Sequence, residues 1–450
     1  MTAGALLNLF NRFNKAEPTA DVGEWMKAEI LATGDEIRSG ALIDSNSAYI
    51  AERLEREGIE VTRHHCVGDD LQMLTTEIST IASRADIAIV SGGLGPTEDD
   101  RTAEAAAKAA GVDRVLDEQA LSAIEAFFKR LGRLMPPSNR KQALFPSGSE
   151  VLPNPVGTAP GFKIKINRCI IFCLPGVPHE MKKMLTFEVT PRLTSIIGND
   201  CRFSLVRTLS TFGSTESLVG EQVTGLTHDY PEISLGLRAK FPVIQVRLYS
   251  RGTDEKQMNR HLDVVAERVG SVLESKVFSD DGKSMAAVVG DLLVQKNTTV
   301  AIAESCTGGL ISHLLTNVPG SSEFFLFSGV TYANAAKIGV LGVLPETLEA
   351  HGAVSSQTVR QMAKGARKVA NATYAIATSG IAGPDGGTDE KPVGTVCIGL
   401  AGPEGVTDRR LYFPFGNRTA KKKLFAMAAL DMLRRHILKL GALDIPTKTR

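Results

Sequence analysis

Two residues in the second half of the chain, Ser305 and Lys337, carry the types and surroundings that amide chemistry needs. Ser305 stands in Ala303-Glu304-Ser305-Cys306-Thr307-Gly308-Gly309, directly after the apolar run 299–303. A strand leading into a helix there puts the hydroxyl at the open rim of a sheet, with the N–H groups of Cys306, Thr307 and Gly308 pointing the same way. A serine so placed is either a helix cap or a nucleophile. Lys337 closes the stretch Thr331-Tyr332-Ala333-Asn334-Ala335-Ala336-Lys337, and Ala335, Ala336, Ile338 and Val340 surround it. Desolvation among such neighbours would lower its pKa enough to let the amine take a serine proton at neutral pH. Tyr332 and Lys337 are five residues apart, so a loop or bend must lie between them if both are to converge. Neither motif contains a histidine, and a Ser–His–Asp triad is not suggested. Cys306 is the competing nucleophile, because a helix N-terminus would depress its pKa as well.

The first half offers different chemistry. Ser91-Gly92-Gly93-Leu94-Gly95-Pro96-Thr97-Glu98-Asp99-Asp100 follows the apolar strand 87–90. In an open parallel sheet, ligands sit at the carboxyl ends of strands, and glycines let backbone N–H groups approach an anion. Thr97 adds a hydroxyl. Carboxylates beside a phosphate nest repel it unless a divalent cation lies between them. Asp35 and Glu36 end the first strand on the same rim, and Asp35, Asp99 and Asp100 are the candidate metal ligands. The plain alternative is that residues 98–100 cap the next helix against its dipole. Loops 157–161 and 174–181 can bring further backbone donors to this rim, although turn chemistry explains them equally well.

These groups need elements to hold them. Residues 27–175 alternate strand-like and helix-like patterns, as a parallel sheet with crossover helices does. Residues 206–210 and 244–248 are period-2 strands, 257–273 is a helix, and the stretch 176–280 reads as a small α+β module ending in a linker. A second α/β pattern fills 281–450. The expected fold is α/β: two three-layer α/β/α domains with parallel-rich sheets, joined by that module. At 450 residues two or three domains are expected, and 43% hydrophobic against 22% charged residues excludes disorder, collagen and coiled coil as the architecture. A formal charge of +1 provides no global attraction to nucleic acid or anionic lipid. The run Lys421-Lys422-Lys423 reads as a solvated helix face. Apolar runs such as 169–174 fall short of the roughly 20 residues of a membrane helix. Six scattered cysteines without a Cys-x-x-Cys pair fit a reducing cytoplasm. Residues 1–26 form an extension without a basic leader region, in which Leu6, Leu9, Phe10 and Phe13 repeat at helical spacing and read as a short docking helix.

From Lys27 to about Leu440 these blocks, with Gly157-Thr158-Ala159-Pro160-Gly161, Leu174-Pro175-Gly176-Val177-Pro178 and Gly380-Ile381-Ala382-Gly383-Pro384 through Val396, resemble the CinA family of competence/damage-inducible proteins. The resemblance implies a molybdopterin-binding-like (MoaB/MogA) domain over 27–175, a KH-type-like module over 176–280 and a nicotinamide-nucleotide amidohydrolase domain over 281–450. It implies deamidation of nicotinamide mononucleotide to the nicotinate nucleotide plus ammonia, with ADP-ribose pyrophosphatase activity in the first domain. It further implies a divalent metal (Mg, Mn or Co) in that domain and none for the amidase, nucleotide substrates and a homodimer, with neither membrane nor nucleic acid as a partner. Carried onto this chain, Ser305 attacks the carboxamide, Lys337 is the base and Tyr332 assists. Thr378 orients the lysine or binds the oxyanion, and Arg418 holds substrate charge. Cys306, Thr307, Gly308, Gly383, Gly386 and Gly387 are the implied substrate contacts there, and Gly92, Gly93, Gly95, Thr97 and Asn46 those of the first domain. The chain departs from the family pattern at Asp35, where threonine is common, and at Asp385, which puts a side chain and a negative charge where phosphate is expected. The alternatives are a pterin- or nucleotide-binding protein with a silent first domain, and a competence or recombination partner.

Overall fold

A computed structural model describes residues 25–198 and 203–442. The predicted docking helix of residues 6–13 lies outside the described residues. The chain divides into two compact units, one running to Leu205 and including Ser250–Asn259, the other comprising Val206–Tyr249 and the chain from Arg260 onward.

The first unit is built on a six-stranded sheet of order β2-β1-β3-β8-β7-β6. Its strands are β1 (Lys27–Thr33), β2 (Glu60–Val67), β3 (Ile87–Ser91), β6 (Glu150–Leu152), β7 (Gly161–Ile166) and β8 (Cys169–Leu174), and β4 (Arg114–Leu116) with β5 (Leu144–Pro146) forms a separate ribbon. The four strands β2, β1, β3 and β8 are parallel, and β7 and β6 add antiparallel. The short α1 (Asp35–Arg38) follows β1, and then come α2 (Ser45–Arg56), α3 (Leu71–Arg84), α4 (Thr102–Ala110) and α5 (Glu118–Arg130). Alternation along each strand feeds two cores. Leu31, Ala88, Val90, Ile171 and Cys173 meet α3, α4 and α5, whereas Ala28, Ile30, Ile87, Ile89, Phe172 and Leu174 meet α2 on the other face. That second core runs past residue 175. Met181 and Met184 on α6 (Pro178–Met184), then Leu185, Val189 and Leu193 leading into α7 (Thr190–Ile197), complete it. The expected boundary at 175 therefore moves, because the stretch 178–197 supplies apolar cover that this sheet face requires.

A four-stranded sheet, β10 (Ile233–Lys240), β11 (Val243–Gly252), β9 (Phe203–Thr211) and β12 (Val277–Ser279), carries α8 (Glu216–Val223) and α9 (Glu255–Leu273) as the α+β module.

The C-terminal sheet has the order β14-β13-β15-β16-β17, with β13 (Val300–Glu304) parallel to β14 (Phe325–Val330) and β15 (Tyr374–Gly380), while β16 (Thr395–Gly402) and β17 (Gly405–Tyr412) are antiparallel. Its helices are α10 (Met285–Gln295), α11 (Leu310–Thr316), α12 (Asn334–Leu341), α13 (Pro345–His351), α14 (Ser356–Ala370) and α15 (Arg418–Ile437). Period-2 alternation sorts residue size by face. Val300, Ile302, Ile376, Ile398 and Leu400 pack beneath α10, α11 and α15; Ala301, Ala303, Ala375, Ala377 and Ala401 pack beneath α12 and α14. The small face lets α14 approach closely, and a Cβ on Gly399 would stand 2.2 Å from the carbonyl oxygen of Val359. Among the described residues no helix is long and apolar enough to cross a membrane.

Candidate active site

The parallel strands β13, β14 and β15 end side by side, and each delivers one part of the site. Ser305 follows β13 in a turn spanning 305–309, and α11 starts only at Leu310, with Gly309 at its cap. Ser305 is therefore no helix cap. Its N–H donates to the Thr378 carbonyl at 3.0 Å, which pins the turn to the end of β15. The chain after β14 passes through Thr331–Ala333 and enters α12, where Lys337 sits one turn in. The bend expected between Tyr332 and Lys337 is this loop-to-helix junction.

The Lys337 amine is 1% exposed and lies 3.2 Å from Ser305 Oγ. It also donates to the carbonyls of Thr331 and Tyr332, each at 2.9 Å. The Lys337 amine thus meets three oxygens, one hydroxyl and two main-chain carbonyls. Burial pushes the Lys337 pKa below its ordinary value, and among the described residues no carboxylate is paired to it. The Ser305 hydroxyl and the Lys337 amine are thus in hydrogen-bond contact.

Other expected members take different places. Burial pushes the Cys306 thiol up to about 12, the opposite of the expected helix-end effect, because its turn precedes the helix and the sulfur packs in the core. Burial of the sulfur disfavours Cys306, the competing nucleophile, relative to Ser305. Among the described residues, the Cys306 main-chain N–H and that of Thr307 donate to no backbone carbonyl. The Thr378 hydroxyl is fully buried on that of Thr307 at 2.8 Å and braces the turn. Tyr332 reaches Lys337 through its carbonyl alone; its side chain is 62% exposed and its hydroxyl accepts from Arg418 at 3.2 Å. Arg418 also donates to the Gly383 carbonyl at 2.7 Å and so ties the loop 381–394 to the site. In that loop Gly383 and Gly386 have positive φ, a Cβ on Gly387 would meet Val393 N at 2.8 Å, and Asp385 is exposed. Glu304 was missed by sequence reasoning. Fully buried, it accepts from the N–H groups of Ile311 and Ser312 at 3.2 and 2.9 Å and from the Ser312 hydroxyl at 2.5 Å. A carboxylate closing an otherwise apolar strand was the signal.

A probable molybdopterin binding domain matches residues 29–195, the damage-inducible protein CinA KH domain 206–279 and the CinA C-terminal domain 282–437. A CinA-like protein of Desulfosudis oleivorans is 51% identical over 413 residues, covering 92% of this chain and 100% of that protein. The chain belongs to the CinA family. A second relative, from Shewanella oneidensis, is 42% identical over 92% of this chain and 96% of its own length, and is named nicotinamide-nucleotide amidohydrolase PncC. The crystal structure of CinA from Thermoplasma acidophilum is 36% identical and covers 36% of this chain and 95% of its own, with a TM-score of 0.34.

In the molybdopterin-binding-like domain of this CinA chain the loops do gather at the carboxyl end of the sheet. Asn46 donates to Ser91 Oγ at 3.0 Å and to the Gly176 carbonyl at 2.8 Å, joining two loops. Gly92 and Gly93, at positive φ, lie against Thr33, and Thr102 Oγ1 donates to the Gly92 carbonyl at 2.8 Å. The Thr33 hydroxyl and Asn46 Oδ1 are buried without a hydrogen-bond partner among the described residues. The acids do not converge as expected. Asp100 accepts from Thr97 N and Oγ1 at 2.9 and 2.6 Å and lies under Gly95, and Asp35 is bonded to Arg38. Among the described residues no three His, Cys, Asp or Glu side chains stand together to hold a metal, so Asp35, Asp99 and Asp100 are not one ligand set here. The carboxylate that feels its neighbours is Asp69: burial raises its pKa, and Asp35, Glu36 and Asp99 raise it further, against one backbone hydrogen bond from Asp35.

Proposed function

We propose that the C-terminal domain deamidates nicotinamide mononucleotide to nicotinate mononucleotide and ammonia through a Ser–Lys mechanism. The observation that carries this reading is the 3.2 Å contact between Ser305 Oγ and a buried Lys337 amine that, among the described residues, has no carboxylate partner. The naming of the Shewanella oneidensis relative supports the substrate. Ser305 attacks the carboxamide carbon while its proton passes to Lys337 Nζ. The N–H groups of Cys306 and Thr307 receive the oxyanion. Collapse returns the proton from Lys337 to the leaving nitrogen, ammonia departs, and the Ser305 acyl ester remains. Water, deprotonated by the same amine, then releases the acid. Ammonia release by the purified protein tests the reading: wild type active and Ser305→Ala inactive supports it, and an inactive wild type or an active variant overturns it.

A second reading concerns the molybdopterin-binding-like domain, favoured by the crowding of Asp35, Glu36 and Asp99 on Asp69. It is hydrolysis of ADP-ribose at that rim, with no step drawn through a metal because the carboxylates present no ligand set. AMP release lost in Asp69→Asn supports it; nucleotide binding without hydrolysis leaves this domain a binding module.

A further inference from the structure

Lys422 lies one helical turn after Arg418 on the same face of α15. The lysine run does not behave as one solvated face. Lys421 is buried and donates to the Gly416 carbonyl, Lys423 is exposed, and Lys422 is half-buried. The Lys422 ammonium reaches over the nucleophile's turn: a Cβ on Gly308 would stand 3.3 Å from Nζ. Gly308 has φ +59° and donates to the Ser305 carbonyl at 3.2 Å, so cation and nucleophile share one four-residue turn. Among the described residues Lys422 has no hydrogen-bond acceptor and no ion-pair partner. The residue expected to hold substrate charge, Arg418, is engaged instead with the Gly383 carbonyl and the Tyr332 hydroxyl.

We infer that Lys422 is the specificity-determining residue that reads the substrate's phosphate, distinguishing a mononucleotide from its nucleoside. This rests on the deamidase reading. A half-buried ammonium without an acceptor is a poor resting state, and a dianionic phosphate is the group of the proposed substrate that completes it through charge-assisted hydrogen bonds. Gly308 is part of the device. Any side chain there adopts a positive φ and meets the ammonium.

Ammonia release is measured for wild type, Lys422→Ala, Lys422→Arg and Lys423→Ala with nicotinamide mononucleotide and with nicotinamide riboside, which lacks the phosphate. The expected result in Lys422→Ala is a fall of about 10–100-fold in the ratio of kcat/KM for mononucleotide to that for riboside, carried by KM. Lys422→Arg restores part of the ratio, and Lys423→Ala leaves it at the wild-type value. Equal losses on both substrates, or an unmoved ratio, overturn the assignment. A wild type that releases no ammonia ends the deamidase reading, and calorimetry then decides on Lys422. Ser305→Ala is titrated with nicotinamide mononucleotide, alone and combined with Lys422→Ala. Binding weakened about tenfold or more by the second change supports the phosphate role; equal binding, or none, overturns it.

Discussion

The two α/β domains solve the same geometric problem and reach different states of readiness. Each ends its parallel strands at one rim and crowds that rim with glycine-bearing loops. In the C-terminal domain the reactive groups face one another: Ser305 and Lys337 are in contact, and the carbonyls of Thr331 and Tyr332 hold the amine. In the molybdopterin-binding-like domain the candidate groups satisfy neighbours in their own loops, as Asp100 does with Thr97 and Asp35 with Arg38. A buried nucleophile and base can be positioned by packing alone, since hydrophobic cover on α12 and α14 fixes their separation. Like-charged carboxylates cannot be, since packing them together raises their energy. Strand-end loops thus give a serine–lysine contact in one domain and, in the other, an acidic rim whose candidate ligands bond within their own loops.

The largest effect that would break this contrast is at the nucleophile. Ser305→Ala is expected to lower ammonia release by about 10³-fold or more, while Cys306→Ala stays within about tenfold, since its thiol is buried and protonated. Comparable losses at both positions would return Cys306 to the mechanism. Lys337→Met comes next, at about 10³-fold. In wild type only the neutral amine can take the serine proton, so kcat/KM falls as pH drops through the Lys337 pKa. Burial sets that acidic limb below the ~10.4 of free lysine. The unfolded chain holds this proton more tightly than the folded one. Wild type therefore gains stability relative to Lys337→Met as pH rises from the lowered value toward ~10.4, and pH-dependent urea melts check the sign.

A smaller effect concerns the scaffold. Glu304→Ala strands the N–H groups of Ile311 and Ser312 and is expected to cost about 2–4 kcal/mol in denaturant unfolding, with Glu304→Gln recovering part. The smallest prediction sharpens the other side of the comparison. Asp100→Ala releases Thr97 and should cost only about 1 kcal/mol, leaving ammonia release unchanged. A large loss of ammonia release would mean that the acidic rim serves the amidase.

Much of the scaffold was legible from period and punctuation. The apolar run 87–90 became β3 and the turn chemistry after it became the glycine loop, since a central parallel strand tolerates little but β-favouring apolar residues. The stretch 178–197 was assigned to the wrong domain because its pattern shows an apolar face without showing which sheet receives it. Glu304 was passed over for a related reason: a charged residue at a strand end reads as exposed until the helix that it caps is seen. Arg418 and Tyr332 were assigned to substrate and proton transfer, and the hydrogen bond between them, 86 residues apart, was not legible from either motif.

Residue order alone determined the α/β class, the position of Ser305 after a strand and the apolar setting of Lys337, because these depend on periodicities of a few residues. Tertiary structure decided that the amine meets the hydroxyl, that the neighbouring thiol is buried, and that Lys422 hangs over Gly308. Those facts join positions 32 to 114 residues apart, and separation in the chain carries no information about distance once strands from three crossovers end at one rim.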